Sequence, residues 1–435
     1  MRRHTRPRAC ERTRADPTYD WPAFAATTDS ETGELRVPAY AVGIATARPA
    51  TIASSSVKIK RVVSGFIPVG SGIRGACNIT RPRATRMRDT RSGALVKVLV
   101  TGHHGYLGSV TGPALVGAGH DATGLDTLFY RGCDLGLVEP ALPALELDVR
   151  DVTADELRGF DAVVHLAALS NDPLGDLDPE LTYEINFRAT VDLARAAREA
   201  GVSRFLLASS CSMYGASEDE QVTEDAPLKP LTAYAESKVR SEEALAELAD
   251  DDFSPVFMRN ATVHGVSPRL RIDIVLNNLV GWAFTTGAVR ILSDGTPWRP
   301  VIHVADVADA TAALLEAPRE TVHAQAFNVG ADGENYQVRD LAEIAREAVP
   351  GSTVEYGGAS DPDPRSYRVD FGKLARALPE LELRRTARES ARELHDAYRA
   401  AGLTFEEFDG PRFTRLKRLQ SLLAEGRLGE DLRWR

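Results

Sequence analysis

The sequence predicts an α/β fold: a parallel sheet with helices on both faces, a smaller and mostly helical C-terminal lobe, and a disordered N-terminal extension. Three observations predict it. From residue 95 onward, apolar β-branched runs alternate with amphipathic helical stretches, the pattern of βαβ units. A glycine-rich turn, TGHHGYLGS at 101–109, joins the first such strand to the first helix. Residues 1–94 hold no sustained period and carry 17 Lys and Arg against 7 Asp and Glu, unlike the acidic remainder.

The elements follow in order. LVKVLVTG (95–102) is a short apolar run that suits a buried parallel strand. SVTGPALVGAG (109–119) reads as a helix, and HDATGLD (120–126) as a second strand ending at Asp126. ALELDVRD (144–151) supplies a third strand ending at Asp148, and FDAVVHLAA (160–168) a fourth. PELTYEINFRATVDLARAAREAGV (179–202) is a long amphipathic helix. SRFLLASS (203–210) is the fifth strand, LTAYAESKVRSEEALAELAD (231–250) a helix, and FSPVFMRNA (253–261) the sixth strand.

After Val263 the rhythm weakens. SPRLRIDIVLNNLVGWAFTTG (267–287) reads as helix, and residues 295–317 as turn, strand and helix. QAFNVG (325–330) reads as a strand returning to the sheet. From Tyr336 the chain reads as mostly helical, broken by the loop SDPDPRSYRVD (360–370). The expected organisation is a first domain over 95–262 to which 301–330 return, and a second lobe from 263–300 and 331–435. The tail at 411–435 has helical period and mixed charge, suited to capping that lobe or an interface.

Composition narrows the classes. The 435 residues are 43% hydrophobic, enough for a large core, yet no run of about 18 apolar residues suggests a membrane span. A net charge of -10 argues against nucleic acid as a partner. The four cysteines have neither metal-ligand nor disulfide spacing, so no metal is expected and a reducing cytoplasm is the default. The basic first segment reads as a disordered extension or as upstream sequence translated from too early a start, with Met87 a candidate true start.

Gly102, Gly105 and Gly108 follow a strand and open a helix. Glycine lets the backbone turn sharply and approach a pyrophosphate, while the helix N-terminus offers free N–H groups and partial positive charge. Asp126 lies 24 residues past Gly102, where a carboxylate can accept both hydroxyls of an adenosine ribose and repel a 2′-phosphate. NAD is therefore expected over NADP, which Arg131 keeps open. Asp148 and Val149, closing the third strand, are positioned to meet the adenine. In YAESK, Tyr234 stands four residues before Lys238, on one helix face. An ammonium beside a phenol favours the phenolate and makes the Tyr a proton carrier near neutral pH. A surface Tyr–Lys pair without function is the alternative for these two residues taken alone.

Together TGHHGYLG, Asp126, HLAA (165–168), SSCSMYG, YAESK and WRPVIHV resemble the extended short-chain dehydrogenase/reductase family, in its NAD-dependent nucleotide-sugar epimerase/dehydratase branch, over roughly residues 96–370. The resemblance implies a Rossmann-type sheet. It implies Tyr234 as acid/base, Lys238 on the nicotinamide ribose, and Ser210 as second donor to the reacting oxygen. It also implies that Tyr106, Leu107, Leu166, Ala167, Ala168 and Ser209 approach the cofactor. At the substrate end it implies Arg299 and Arg365 on the nucleotide diphosphate and Asn278, or its neighbour Asn277, on the nucleotide. His303 reads as structural. The chain departs from the family after the sixth strand, where Thr262 and His264 stand in place of Asn and Tyr, with Asn260 as a possible substitute.

The same motif bears on the reaction. The 4,6-dehydratases carry Asp and Glu after the Ser/Thr, where this chain has Cys211 and Ser212. Cys211 is also one place from the cysteine some family epimerases use, so it reads as buried and inert. The expected function is thus an NAD-dependent 4-epimerase of a nucleotide sugar, working through a 4-keto intermediate. The alternative is an NAD(P)H-dependent reductase of a keto-sugar or small carbonyl, with a dehydratase or a non-catalytic dinucleotide sensor behind it. The resemblance further implies a homodimer built on the helices near 178–200 and 232–249.

Overall fold

The computed structural model describes residues 95–137, 142–170, 178–216, 221–291, 293–357 and 365–435, and the backbone of a short antiparallel pair, Thr27–Thr28 with Leu35–Arg36. The chain divides into two compact units, Met1–Asn78 and Ile79–Arg435. Every element from Lys97 onward belongs to the second unit. Apart from the short pair, the extension expected over 1–94, with Met87, lies outside the described residues.

Six strands open the fold: β1 (Lys97–Thr101), β2 (Asp121–Asp126), β3 (Ala144–Glu146), β4 (Ala162–His165), β5 (Arg204–Ser210) and β6 (Ser254–Asn260). Then come β7 (Thr262–His264), β8 (Ala288–Ile291), β9 (Trp298–His303), β10 (Gln325–Val329), β11 (Asn335–Gln337) and β12 (Thr353–Tyr356). The main sheet is wholly parallel, in the order β10–β6–β5–β4–β1–β2–β3. Its strands alternate faces with the two-residue period of the pleat. Val98, Val100, Leu206 and Met258 join one buried cluster, while Leu99, Val163, Phe205 and Leu207 join another.

The longer helices are α1 (Gly108–Gly117), α2 (Pro179–Tyr183 continuing through a π-helical turn to Ala189–Glu199), α3 (Ala233–Glu247), α4 (Val275–Thr286), α5 (Val304–Glu316), α6 (Val338–Ala348), α7 (Ala387–Ala401) and α8 (Arg415–Ala424). Leu115 of α1 and Leu314 of α5 cover the first face of the sheet. Leu193 of α2 and Leu245 of α3 cover the second. The helix starts follow local chemistry. Asp178 accepts the Leu181 N–H ahead of Pro179, Thr232 accepts that of Ala235, and Thr386 forms a capping box with Glu389. A separate core joins α4, α6, α7 and β8 through Leu276, Val280, Leu341, Ile344, Leu394 and Val289.

Several expectations are corrected. The helix read over 267–287 starts only at Val275. The backbone before it bonds elsewhere, Leu135 N–H to the Pro268 carbonyl and Ile272 N–H to that of Phe413, so no helical ladder forms. The third strand stops at Glu146, because the Asp148 carboxylate instead caps the 3-10 turn Val149–Asp151. β9 lies in a small sheet of its own, parallel to β7 and antiparallel to β11, whereas β10 does return beside β6. The strands β11 and β12 fall in a region read as mostly helical. Among the described residues no helix is long and apolar enough to cross a membrane.

Candidate active site

The C-terminal ends of β1, β2, β4, β5 and β6 open on one crevice of ≈ 600 Å³, the place where open parallel sheets take ligands. Its first wall is the glycine turn, with Gly102, Gly105, Tyr106, Leu107 and Gly108 all lining it. Gly102 has φ +71°, and a Cβ there would lie 2.7 Å from the Ala167 nitrogen. A Cβ on Gly108 would lie 2.2 Å from the Gly102 carbonyl oxygen, so a side chain at either place would displace the turn. Tyr106 is pinned from both ends: its hydroxyl donates to the Gly265 carbonyl at 2.7 Å, and its own carbonyl accepts from Ser267 Oγ at 2.8 Å.

Asp126 lines the crevice beside this turn. Its carboxylate accepts the Leu128 N–H at 2.7 Å and the His104 N–H at 3.1 Å. Burial pushes its pKa up, against the pull of those two N–H groups. Asp148, Val149, Leu166, Ala167 and Ala168 continue the wall. The Asp148 carboxylate is taken by Arg150, with 2.7 Å from Nη2 and 3.0 Å from Nε. Burial raises its pKa but Arg150 outweighs this and holds it below the usual value. A tight glycine cradle, the N-terminus of α1 and a carboxylate at the end of β2 together fit the diphosphate and ribose of NAD.

Ser209, Ser210, Tyr234 and Lys238 line the middle of the crevice. The parallel register of β5 and β6 sets Ser210 beside Asn260. Ser210 Oγ accepts the Ser212 N–H at 3.2 Å and meets Ser212 Oγ at 3.0 Å. On α3, Lys238 Nζ lies 5.9 Å from the centre of the Tyr234 ring. Lys238 is only 3% exposed. Burial pulls its pKa down to about 8, against the opposing pull of Glu242 one turn on. Cys211 points away, its thiol donating to the Arg259 carbonyl at 3.1 Å. Burial pushes that thiol well above its ordinary pKa. Tyr214 is also turned inward, bonding Asn328 Oδ1 at 2.7 Å.

Asn260, Arg299 and Arg365 line the crevice too. Asn260 Oδ1 is buried without a hydrogen-bond partner, an acceptor well suited to a ligand. Arg299 Nη1 donates to the carbonyls of Trp298 and Arg365, which ties these two arginine segments together. Asn278 is not among the lining residues, which take Val275 and Leu279 from the same helix. Asn277 is fully buried and bonds Gly265 N and the Arg271 carbonyl, holding the loop after β7. Thr262 lines the crevice, whereas His264 is buried against Ser390 Oγ at 2.9 Å. His303 caps α5 by accepting the Ala305 N–H. Residues not foreseen include Arg271, Asp273 and Arg415. No local period marks them, since their contacts are all long-range or within a loop. Six basic and three acidic side chains line the crevice among the described residues, a balance that favours diphosphates. Among those residues no group of three or more His, Cys, Asp or Glu side chains could hold a metal ion.

Fold and site define a dinucleotide-binding α/β enzyme of the short-chain dehydrogenase/reductase type. Residues 98–330 match the NAD dependent epimerase/dehydratase family, and the chain belongs to that family of NAD-dependent enzymes. It is similar to UDP-glucose 4-epimerase of Bacillus subtilis (strain 168), 31% identical over 313 residues, covering 65% of this chain and 91% of that one. It is similar in structure to MoeE5 in complex with UDP-glucose and NAD, at 28% identity and TM-score 0.61, covering 70% and 99% of the two chains. It is also similar to the dTDP-glucose 4,6-dehydratase DesIV of Streptomyces venezuelae, at 25% identity and TM-score 0.62, covering 72% and 100%.

Proposed function

We propose that the protein interconverts a nucleotide sugar and its 4-epimer. The reading rests on one observation: Ser210, Tyr234 and Lys238 line the same crevice as the glycine turn, and Arg299 and Arg365 line it as well. NAD held by the glycine turn and Asp126 would supply the redox chemistry, the reversible removal of a hydride from the sugar carbon. Tyr234 Oη takes the proton of the sugar hydroxyl as the carbon is oxidised, and returns it when the ketone is reduced. Lys238, kept mostly charged at neutral pH, favours the phenolate and orients the ring. Ser210 Oγ donates to the same sugar oxygen. Arg299 and Arg365 hold the nucleotide diphosphate while the sugar turns over between the two hydride transfers. Water loss from the sugar would need a carboxylic acid beside Ser210. Its place is held by Cys211, whose thiol is buried and committed to a carbonyl.

Homodimerisation through α2 and α3, and a cytoplasmic location in keeping with the free, buried Cys133 and Cys211, belong to the same reading. The test is a panel of UDP- and dTDP-hexoses offered to the NAD-loaded protein, with products resolved by chromatography. The expected result is a 4-epimer formed without net NADH. Stoichiometric consumption of NADH or NADPH with a keto substrate would replace it by the reductase reading.

A further inference from the structure

The tail beyond residue 410 lies outside the 98–330 match, yet it packs against the crevice wall and contributes Arg415 to the lining. Leu419 and Leu422 of α8, with Leu428 and Leu432, bury against Leu169 of the crevice wall and Leu181 and Ile185 of α2. The last residues clasp the loop after β2. Trp434 Nε1 donates to the Thr127 carbonyl at 2.6 Å, and Arg418 Nε donates to that of Phe129 at 3.2 Å.

Arg415, at the start of α8, is the unusual member of this tail. It lines the crevice and is only 2% exposed. Nη2 donates to the Arg269 carbonyl at 2.8 Å, and the guanidinium lies 4.0 Å from the centre of the Tyr130 ring. Nη1 is buried with no hydrogen-bond partner. The neighbouring carboxylate, Asp273, is bonded instead by Arg271 at 2.9 and 3.2 Å. Arg269, whose carbonyl Arg415 holds, donates in turn from Nε to Nδ1 of His104 in the glycine turn at 3.2 Å. A buried cation with an unmade hydrogen bond is costly unless an anion meets it.

We infer that Arg415 binds the diphosphate of the dinucleotide cofactor, so that the C-terminal tail is part of the cofactor site. This rests on the NAD reading of the crevice, and the experiment separates the two. Full-length protein freed of nucleotide is titrated calorimetrically with NAD, ADP-ribose and UDP, as wild type and as R415M, R415Q and R415K. Wild type binds NAD and ADP-ribose. R415M and R415Q bind both at least tenfold more weakly, R415K recovers part of the loss, and UDP binding stays within twofold. Without nucleotide, R415M melts no lower than wild type, and added NAD raises its melting temperature less. Unchanged NAD affinity in a folded R415M overturns the inference and leaves the NAD reading standing. Weakened UDP with unchanged NAD overturns it in favour of the substrate's diphosphate. Failure of both R415M and R415Q to fold assigns Arg415 to the core and overturns it too. A wild type that binds neither NAD nor ADP-ribose removes the cofactor reading itself.

Discussion

At the scale of single residues, the proposed proton transfer depends on where burial lets charge survive. Tyr234 and Lys238 share a face of α3, and Lys238 is buried beside the crevice. On the proposed mechanism, replacing Tyr234 by Phe removes the proton carrier and leaves the ring. Turnover is expected to fall by about 10²–10⁴-fold, while calorimetric NAD affinity stays within about twofold. Lys238 gives a pH test. Burial holds its pKa at about 8. It therefore loses its proton as pH rises through that value, and kcat/KM is expected to fall on the alkaline side of pH 8. A profile of kcat/KM that stays flat to pH 10 counts against Lys238 as the charged partner. Stability moves the opposite way. A lysine whose folded pKa lies below its unfolded value of ~10.4 costs stability below pH 8, and that cost fades between the two values.

At the scale of elements, the crevice wall depends on polar ties between strands and helices. His165 at the end of β4 bonds Thr101 Oγ1 of β1 at 2.7 Å through Nδ1 and Thr190 Oγ1 of α2 at 2.8 Å through Nε2. Burial, with the nearby charge of Lys238, pulls its pKa down to about 3. The unfolded chain takes up this proton from ~6.5 downward and the folded chain refuses it until about 3. Folding stability is thus lost as pH falls below 6.5. Gln can keep both bonds without titrating. H165Q is therefore expected to lose about 2 kcal/mol less than wild type between pH 7 and pH 5, read from urea unfolding at both values. Equal losses would show that another group carries the acid sensitivity. Glycine matters at this scale where backbones touch, as Gly102 does against Ala167.

At the scale of the whole molecule, the crevice is assembled from distant parts of the chain. The parallel sheet supplies the glycine turn and the serine-bearing strand end, α4 and β9 supply Leu279 and Arg299, and α8 supplies Arg415. What holds α8 in place is apolar burial. Leu422 is fully buried in a cluster with Leu169, Leu181 and Ile185. L422A is expected to cost about 2–5 kcal/mol in chemical unfolding. Weakened NAD binding should accompany it, because the same helix carries Arg415 and anchors the loop after β2. A small, uniform loss of stability with no change in NAD affinity would separate the tail from the site.

The sequence alone determined the features that depend on near neighbours. Tyr234 and Lys238 are one helical turn apart, the glycines of 102–108 sit between a strand and a helix, and Asp126 ends its strand. Periods of two and 3.6 residues are local, so patterns of side chains reveal them. Tertiary structure decided what depends on partners far along the chain. The 267–274 stretch is not helix because Leu135 and Phe413 take its backbone bonds. Leu279 rather than Asn278 meets the crevice because the packing of α4 on α6 and α7 sets its rotation, and one residue is about 100° of turn. Arg271, Asp273 and Arg415 came to the site unannounced. A buried charge is placed by the groups around it, and in this molecule many of those groups lie far from it in the sequence.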